Sequence, residues 1–223
     1  MSRWRISLLI VSLLILIAAT AYAGGWAIVT VNDLPDYAIA GKTLTMTFAV
    51  RQHGATLLDG LKPVVFAKAP DMHSVRIDAK PTKQTGEYRF ELPLTQPGEW
   101  KISIDSGFLS YLTNRTPDDS PKSPEAGYIT FPLKVIPAGS SPLIVSDRER
   151  GERLFNTKGC VGCHGSGIGP DLAKMSRRAD SVKQLLADPA TALKYKDPEY
   201  GQMPNLNLKP AEITALTEFV VNR

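Results

Sequence analysis

The sequence predicts two folded units in tandem, a β-sandwich and then a small all-α domain, behind an apolar N-terminal segment. Three observations carry that prediction. Residues 24–137 break into short, often alternating β-rich runs, separated by turn formers. After a linker at 138–146, residues 147–223 take up helical patterning around one Cys-x-x-Cys-His sequence. Residues 1–23 are a short basic head and an apolar stretch. At 223 residues the chain has room for two domains. Its 22% charged and 43% hydrophobic content excludes global disorder.

The first 23 residues begin Met1-Ser-Arg-Trp-Arg5, followed from Ile6 to Ala23 by Leu, Ile, Val and Ala broken only by Ser7, Ser12, Thr20 and Tyr22. Two readings fit. Ala21-Tyr22-Ala23 is the small-x-small pattern that a signal peptidase accepts, which would leave Gly24 first. A retained anchor fits too, because 18 mainly apolar residues just cross ~30 Å of hydrocarbon as a helix. Either a signal peptide or a transmembrane helix sends the rest of the chain to the periplasmic or extracytoplasmic side of the cytoplasmic membrane, with the basic head inside.

The predicted strands are Ala27–Val31, Thr43–Val50, Val64–Ala67, Ser74–Asp78, Glu87–Leu92, Trp100–Ile104 and Tyr128–Val135. Pro70-Asp71, Thr85-Gly86 and Pro97-Gly98 separate several of them. About seven short strands over some 110 residues fit an immunoglobulin-like sandwich. Thr116–Glu125, rich in Pro, Ser and Asp, reads as an exposed loop before the last strand. From Trp26 to Pro137 the chain resembles YtkA-like or FixH-like exported β-sandwich domains, most visibly over Ala40–His53. That resemblance implies an extracytoplasmic accessory unit and identifies no reaction.

His53, Met72 and His73 offer imidazole and thioether donors, so copper in the β-sandwich is one expectation for them. The other is one core methionine and two surface or loop histidines. Neighbours in a strand point to opposite faces, so Met72 and His73 converge only if they lie in a turn.

Charge excludes one class of partner. Arg3 and Arg5 are the only charges before residue 24, residues 24–146 are balanced, and 147–223 carry a small excess of two positives. No dense basic stripe exists, so no nucleic-acid partner is expected.

The two cysteines, Cys160 and Cys163, sit too close together to staple a fold. With His164 they complete C-x-x-C-H, the attachment sequence for c-type haem. Two thiols at this spacing reach two vinyl groups on one porphyrin edge, and the adjoining imidazole lies beneath the iron. Zinc is a poorer account, since a closed site needs four ligands and only His53 and His73 remain as other histidines. A thioredoxin-like dithiol lacks its βαβ context. Asp147 is expected to cap the helix that leads into the motif.

From Ser146 to Asn222 the chain resembles class I cytochrome c. Gly151 and Phe155 match the family's N-terminal helix, and Pro210–Asn222, with Ile213, Leu216, Phe219 and Val220 on one face, matches its C-terminal helix. The resemblance implies that the Pro170 carbonyl, in Gly169-Pro170-Asp171-Leu172, accepts the second ring proton of His164. Met175 and Met203 are the methionines after His164. The resemblance points to Met203, in Tyr200-Gly-Gln-Met-Pro-Asn205, as the second axial ligand, with Met175 in the core.

With one haem c iron held by His164 and Met203, and Cys160 and Cys163 as covalent anchors, no coordination site stays open for substrate. The expected function is one-electron transfer between a redox protein donor and acceptor, with no catalytic residues assigned. A simple diffusible carrier needs no sandwich, so the first expectation is a membrane-associated subunit of a respiratory or photosynthetic complex. A soluble periplasmic electron carrier and a copper-handling or redox-sensing protein are the alternatives.

Overall fold

A computed structural model describes residues 25–174, 178–190 and 203–223. The apolar N-terminal segment and Met175 lie outside these residues, and among those described no helix is long and apolar enough to cross a membrane.

One sheet has the order β1 (Ala27–Val31), β3 (Thr43–Gln52), β8 (Glu87–Pro93), β7 (Lys80–Pro81), with β4 (Thr56–Leu57) also on β3. The other runs β2 (Ala38–Ile39), β10 (Tyr128–Ile136), β9 (Gly98–Asp105), β5 (Val64–Lys68), β6 (Ser74–Asp78). Strand pairs are antiparallel except for β2 alongside β10. Alternation places Tyr88, Phe90 and Leu92 inward, while Arg89 and Glu91 face water. They share one core with Phe48, Trp100, Ile102, Ile104, Phe131 and Leu133, so the two sheets face each other. The Tyr88 hydroxyl donates to Leu58 O at 2.8 Å and accepts from Leu61 N at 3.1 Å, which satisfies it inside that core.

All seven expected strands form. The two-residue strands β2, β4 and β7 escape sequence reading because they are too short to display alternation. So does α1 (Phe108–Thr113), a six-residue helix entered through Gly107. The loop at 116–125 keeps most of its residues exposed or half-exposed, as expected, but it is not featureless. It contains a 3-10 turn at Pro117–Asp119, buries Pro117 and Ser120, and sends Lys122 Nζ to the buried Asp105 carboxylate at 3.0 Å. An apolar-poor segment folds back here because it satisfies a carboxylate already buried in the sheet.

The copper expectation is not supported. Met72 does lie in a turn, but it is 66% exposed. His53 sits in the β3–β4 turn, at the end of the sandwich where Ala27 meets Ala126. His73 follows the β5–β6 turn, at the end where Pro70 meets Gly98. On β10 those ends are marked by Tyr128 and Val135, seven residue steps or about 23 Å apart. The two histidines cannot share an ion.

The helical part comprises α2 (Asp147–Thr157), α3 (Cys160–His164), α4 (Ala179–Ala187) and α5 (Pro210–Val221). Ser146, not Asp147, caps α2: its hydroxyl accepts from Glu149 N at 3.2 Å, while Asp147 binds Arg150 from the first turn. Pro210 opens α5, and Lys209 N is satisfied by Glu212 Oε2 at 2.9 Å. The two long helices pack through Leu154, Phe155, Ala215, Leu216 and Val220.

The helical part docks across β1 and β10, one strand from each sheet, which explains why every residue of β1 is buried. Ala27, Val29 and Val31 point into the sandwich core, and Ile28 and Thr30 are covered from the other side. Arg150 forks onto Asp36 at 2.9 and 2.6 Å, and Arg153 donates to the carbonyls of Asp36 and Pro35 at 2.9 and 2.7 Å. Thr30 Oγ1 donates to Lys158 O at 3.4 Å.

Candidate functional site

Chemistry-bearing side chains gather on α3. At three and four residues apart, Cys160, Cys163 and His164 share one face of a single helical turn. The opposite face is packed by the sandwich. A Cβ on Gly162 would approach Ile28 Cγ2 to 2.9 Å, and one on Gly159 would approach Val29 O to 2.8 Å. Gly159 also has φ 81°, a left-handed conformation that lets the chain turn from α2 into α3.

After His164 the chain loops back, with Gly169 N donating to Cys163 O at 2.9 Å. That return brings the Pro170 carbonyl to 3.0 Å from His164 Nδ1. A carbonyl only accepts, so Nδ1 carries the proton and Nε2 keeps its lone pair. Burial lowers the imidazole pKa, the Pro170 bond works against it, and the nearby Arg223 charge adds to the lowering. The ring therefore favours its neutral, ligating form. Phe155 lies 6.4 Å from it between ring centroids, Phe219 packs on Phe155 at 5.5 Å, and the Arg223 guanidinium sits 5.2 Å over the Phe155 ring.

Both thiols are free. Burial pushes the Cys160 thiol up to about 12, helped by neighbouring Cys163, and pushes Cys163 up as well. These are not the depressed values of a reactive dithiol. Among the described residues no three His, Cys, Asp or Glu side chains gather as a metal cluster. The donor set is thus two thiols and one neutral imidazole with a free Nε2. It fits thioether attachment and axial ligation of a haem better than a thiolate-bound ion.

Met203 is half-buried, in the segment leading to α5. The Pro204 ring lies against the β3–β4 turn, since a Cβ on Gly54 would meet Pro204 Cγ at 3.3 Å and Trp26 Cη2 at 3.2 Å. Sequence reasoning named Cys160, Cys163, His164, Pro170 and Met203. It missed Gly159, Arg223, Trp26, Ile28 and Gly54, which act through contacts between distant segments. Only the glycine before Cys160 left a local trace.

Residues 148–223 match the family described as Cytochrome c. No curated protein matches the chain. Among solved structures the chain is similar to the Lin-41 filamin domain, with 13% identity and a TM-score of 0.32, over 51% of this chain and 98% of that one. It is similar to a CARDB domain in complex with di-metal ions from Pyrococcus furiosus, with 17% identity and a TM-score of 0.32, over 50% and 89%. A superoxide reductase (neelaredoxin) from Ignicoccus hospitalis is similar with 11% identity and a TM-score of 0.30, over 51% and 84%. None of these three likenesses bears on activity.

Proposed function

We propose that this chain, whose residues 148–223 form a cytochrome c domain and so imply covalently bound haem c, passes single electrons as an extracytoplasmic, membrane-associated redox subunit. The observation that carries the reading is His164: its Nδ1 is tied to Pro170 O, its Nε2 keeps its lone pair, and two half-buried thiols lie on its helix face. Cys160 and Cys163 would hold the group covalently, and His164 and Met203 would ligate its iron. Bound haem provides Fe(III)/Fe(II) cycling. The Pro170 carbonyl keeps the imidazole in one tautomer and orientation, which strengthens its donation. Phe155, Phe219 and the α2–α5 pair exclude water around it. Thioether and imidazole together as ligands would favour the ferrous state and a relatively high potential.

The working divisions are a leader at 1–23, a sandwich at 24–137, a linker at 138–146 and the haem domain at 147–223. The strand order supports an immunoglobulin-like reading of the sandwich, because one sheet holds the first, third and eighth strands and the other pairs β10, β9 and β5. The YtkA-like or FixH-like assignment is part of the same proposal. A sandwich tied to the haem domain by Arg150 and Arg153 supports a subunit held in one orientation towards a fixed donor and acceptor.

Alanine at both Cys160 and Cys163 should abolish haem retention through denaturation, and retained haem would overturn the attachment. Met203→Ala should remove the thioether signature and lower the potential. Mild solubilisation with N-terminal mass spectrometry tests the setting. Co-recovery with a redox complex supports the subunit; a free chain beginning at Gly24 makes it a periplasmic carrier instead.

A further inference from the structure

We infer that the sandwich is a positioning element for the second axial ligand: the β3–β4 turn and Trp26 clamp the segment that carries Met203. This role presupposes Met203 as the iron ligand.

His53 and Gly54 have φ 51° and 71°, and Ala55 N donates to Gln52 O at 3.1 Å, so a tight turn with two left-handed residues closes the β3–β4 hairpin. The His53 amide donates to Trp26 O at 2.9 Å, and the two rings pack at 5.8 Å. Gly54, though at a turn tip, is buried. What covers it is Pro204 on one side and the Trp26 indole on the other. Met203 is bonded directly to that proline. At the far end of the same segment, Lys209 pairs with Asp33 just beyond β1, and Asn207 N donates to Asn205 Oδ1 at 2.8 Å. The stretch 203–209 is therefore held against the sandwich at both ends. A thioether is a weak ligand whose hold on iron depends on how often its loop swings away. Contacts that restrain Pro204 restrain that motion.

The structure supplies a control. Gly60 has φ 74°, close to Gly54, but a Cβ there meets nothing within 4 Å. Gly54→Val and Gly60→Val both place a side chain at a similar positive φ, and only the first pushes on Pro204. Trp26→Ala removes the buttress without touching any glycine. The full-length haem-loaded chain would be titrated with imidazole, which takes the iron position when methionine leaves. Redox titration and the thioether–iron charge-transfer band of the ferric protein would be read alongside. Apparent affinity scales with the fraction of loop already open, so Gly54→Val and Trp26→Ala should tighten imidazole binding about tenfold. Both should lower the midpoint potential, with Gly60→Val within about twofold of the parent. Equal affinity, potential and band intensity in Trp26→Ala, Gly60→Val and the parent would overturn the clamp. Met203→Ala separates the two layers. If it leaves imidazole affinity and the band unchanged, Met203 is not the ligand and the clamp falls with it. If it changes both while Gly54 and Trp26 variants do not, only the clamp fails.

Discussion

Replacing Gly151 with alanine sets two effects of opposite sign against each other. In a free helix, Gly→Ala stabilises by about 1 kcal/mol, because it lowers the backbone entropy lost on folding. Here the new Cβ would stand 2.0 Å from Ala215 O, 2.6 Å from Ala215 C and 2.7 Å from Phe219 Cβ. Ordinary C···O contact begins near ~3.3 Å, so α2 and α5 must part by roughly 1 Å. Backbone cannot rotate aside as a flexible side chain would. Parting the helices thins the contacts among Leu154, Phe155, Ala215, Leu216 and Val220, and a gap of 0.5–1 Å forfeits about a quarter to a half of each dispersion well. Overpacking of this kind costs about 1–3 kcal/mol, and backbone contact this close belongs at the top of that range or beyond. The steric loss wins, and Gly151→Ala should be about 2 kcal/mol less stable than the parent. The assay is urea unfolding of the haem-loaded chain, followed by far-UV and Soret circular dichroism. Glu152→Ala, at the exposed neighbouring position, is the control and should move stability by no more than about 0.5 kcal/mol. A Gly151→Ala protein as stable as the parent would refute the close-crossing account.

Other expectations concern two ion pairs, one joining the two parts of the chain and one inside the sandwich. A double-mutant cycle of Asp36→Asn and Arg150→Gln should give a coupling of about 1–3 kcal/mol, measured by urea unfolding, since the fork is bidentate and partly buried. The Arg150 bond lowers the Asp36 pKa beneath its ordinary 3.8. Its stabilisation is therefore present above that value and disappears as pH falls through the lower folded value, so protease cleavage in the 138–146 linker should increase only in acid. Lys122→Met strips Asp105 of its cation, and unfolding should show a loss of about 2 kcal/mol at pH 8. Burial already raises the Asp105 pKa. Stability tied to its protonated form is complete below the unfolded value and is lost as pH rises through the folded one, so the deficit of Lys122→Met should shrink as pH falls from 8 towards the ordinary carboxylate value.

The candidate haem-binding set was legible because the chemistry proposed for it demands residues adjacent in sequence: two thiols one turn apart, and an imidazole next to the second. The seven main strands were legible because alternation along β8 or β9 records which side faces the core. The ion pair of Lys122 was not legible, since composition marks its exposed loop as polar and gives no sign that Asp105 lies buried beneath it. The copper expectation grouped His53 and His73 by residue type, while the strand register sets them at opposite ends of the sandwich.

The sequence by itself determined the haem motif, the helices that flank it and the β-rich character of the first part, because each depends on spacing within a few residues. Tertiary structure alone decided that Ile28 seals the back of α3, that Arg150 reaches Asp36, and that Gly54 lies beneath Pro204. Those contacts join segments more than a hundred residues apart, and no local period or propensity encodes which strands a second domain will cover. That choice follows from shape and charge complementarity between surfaces that exist only after each part has folded.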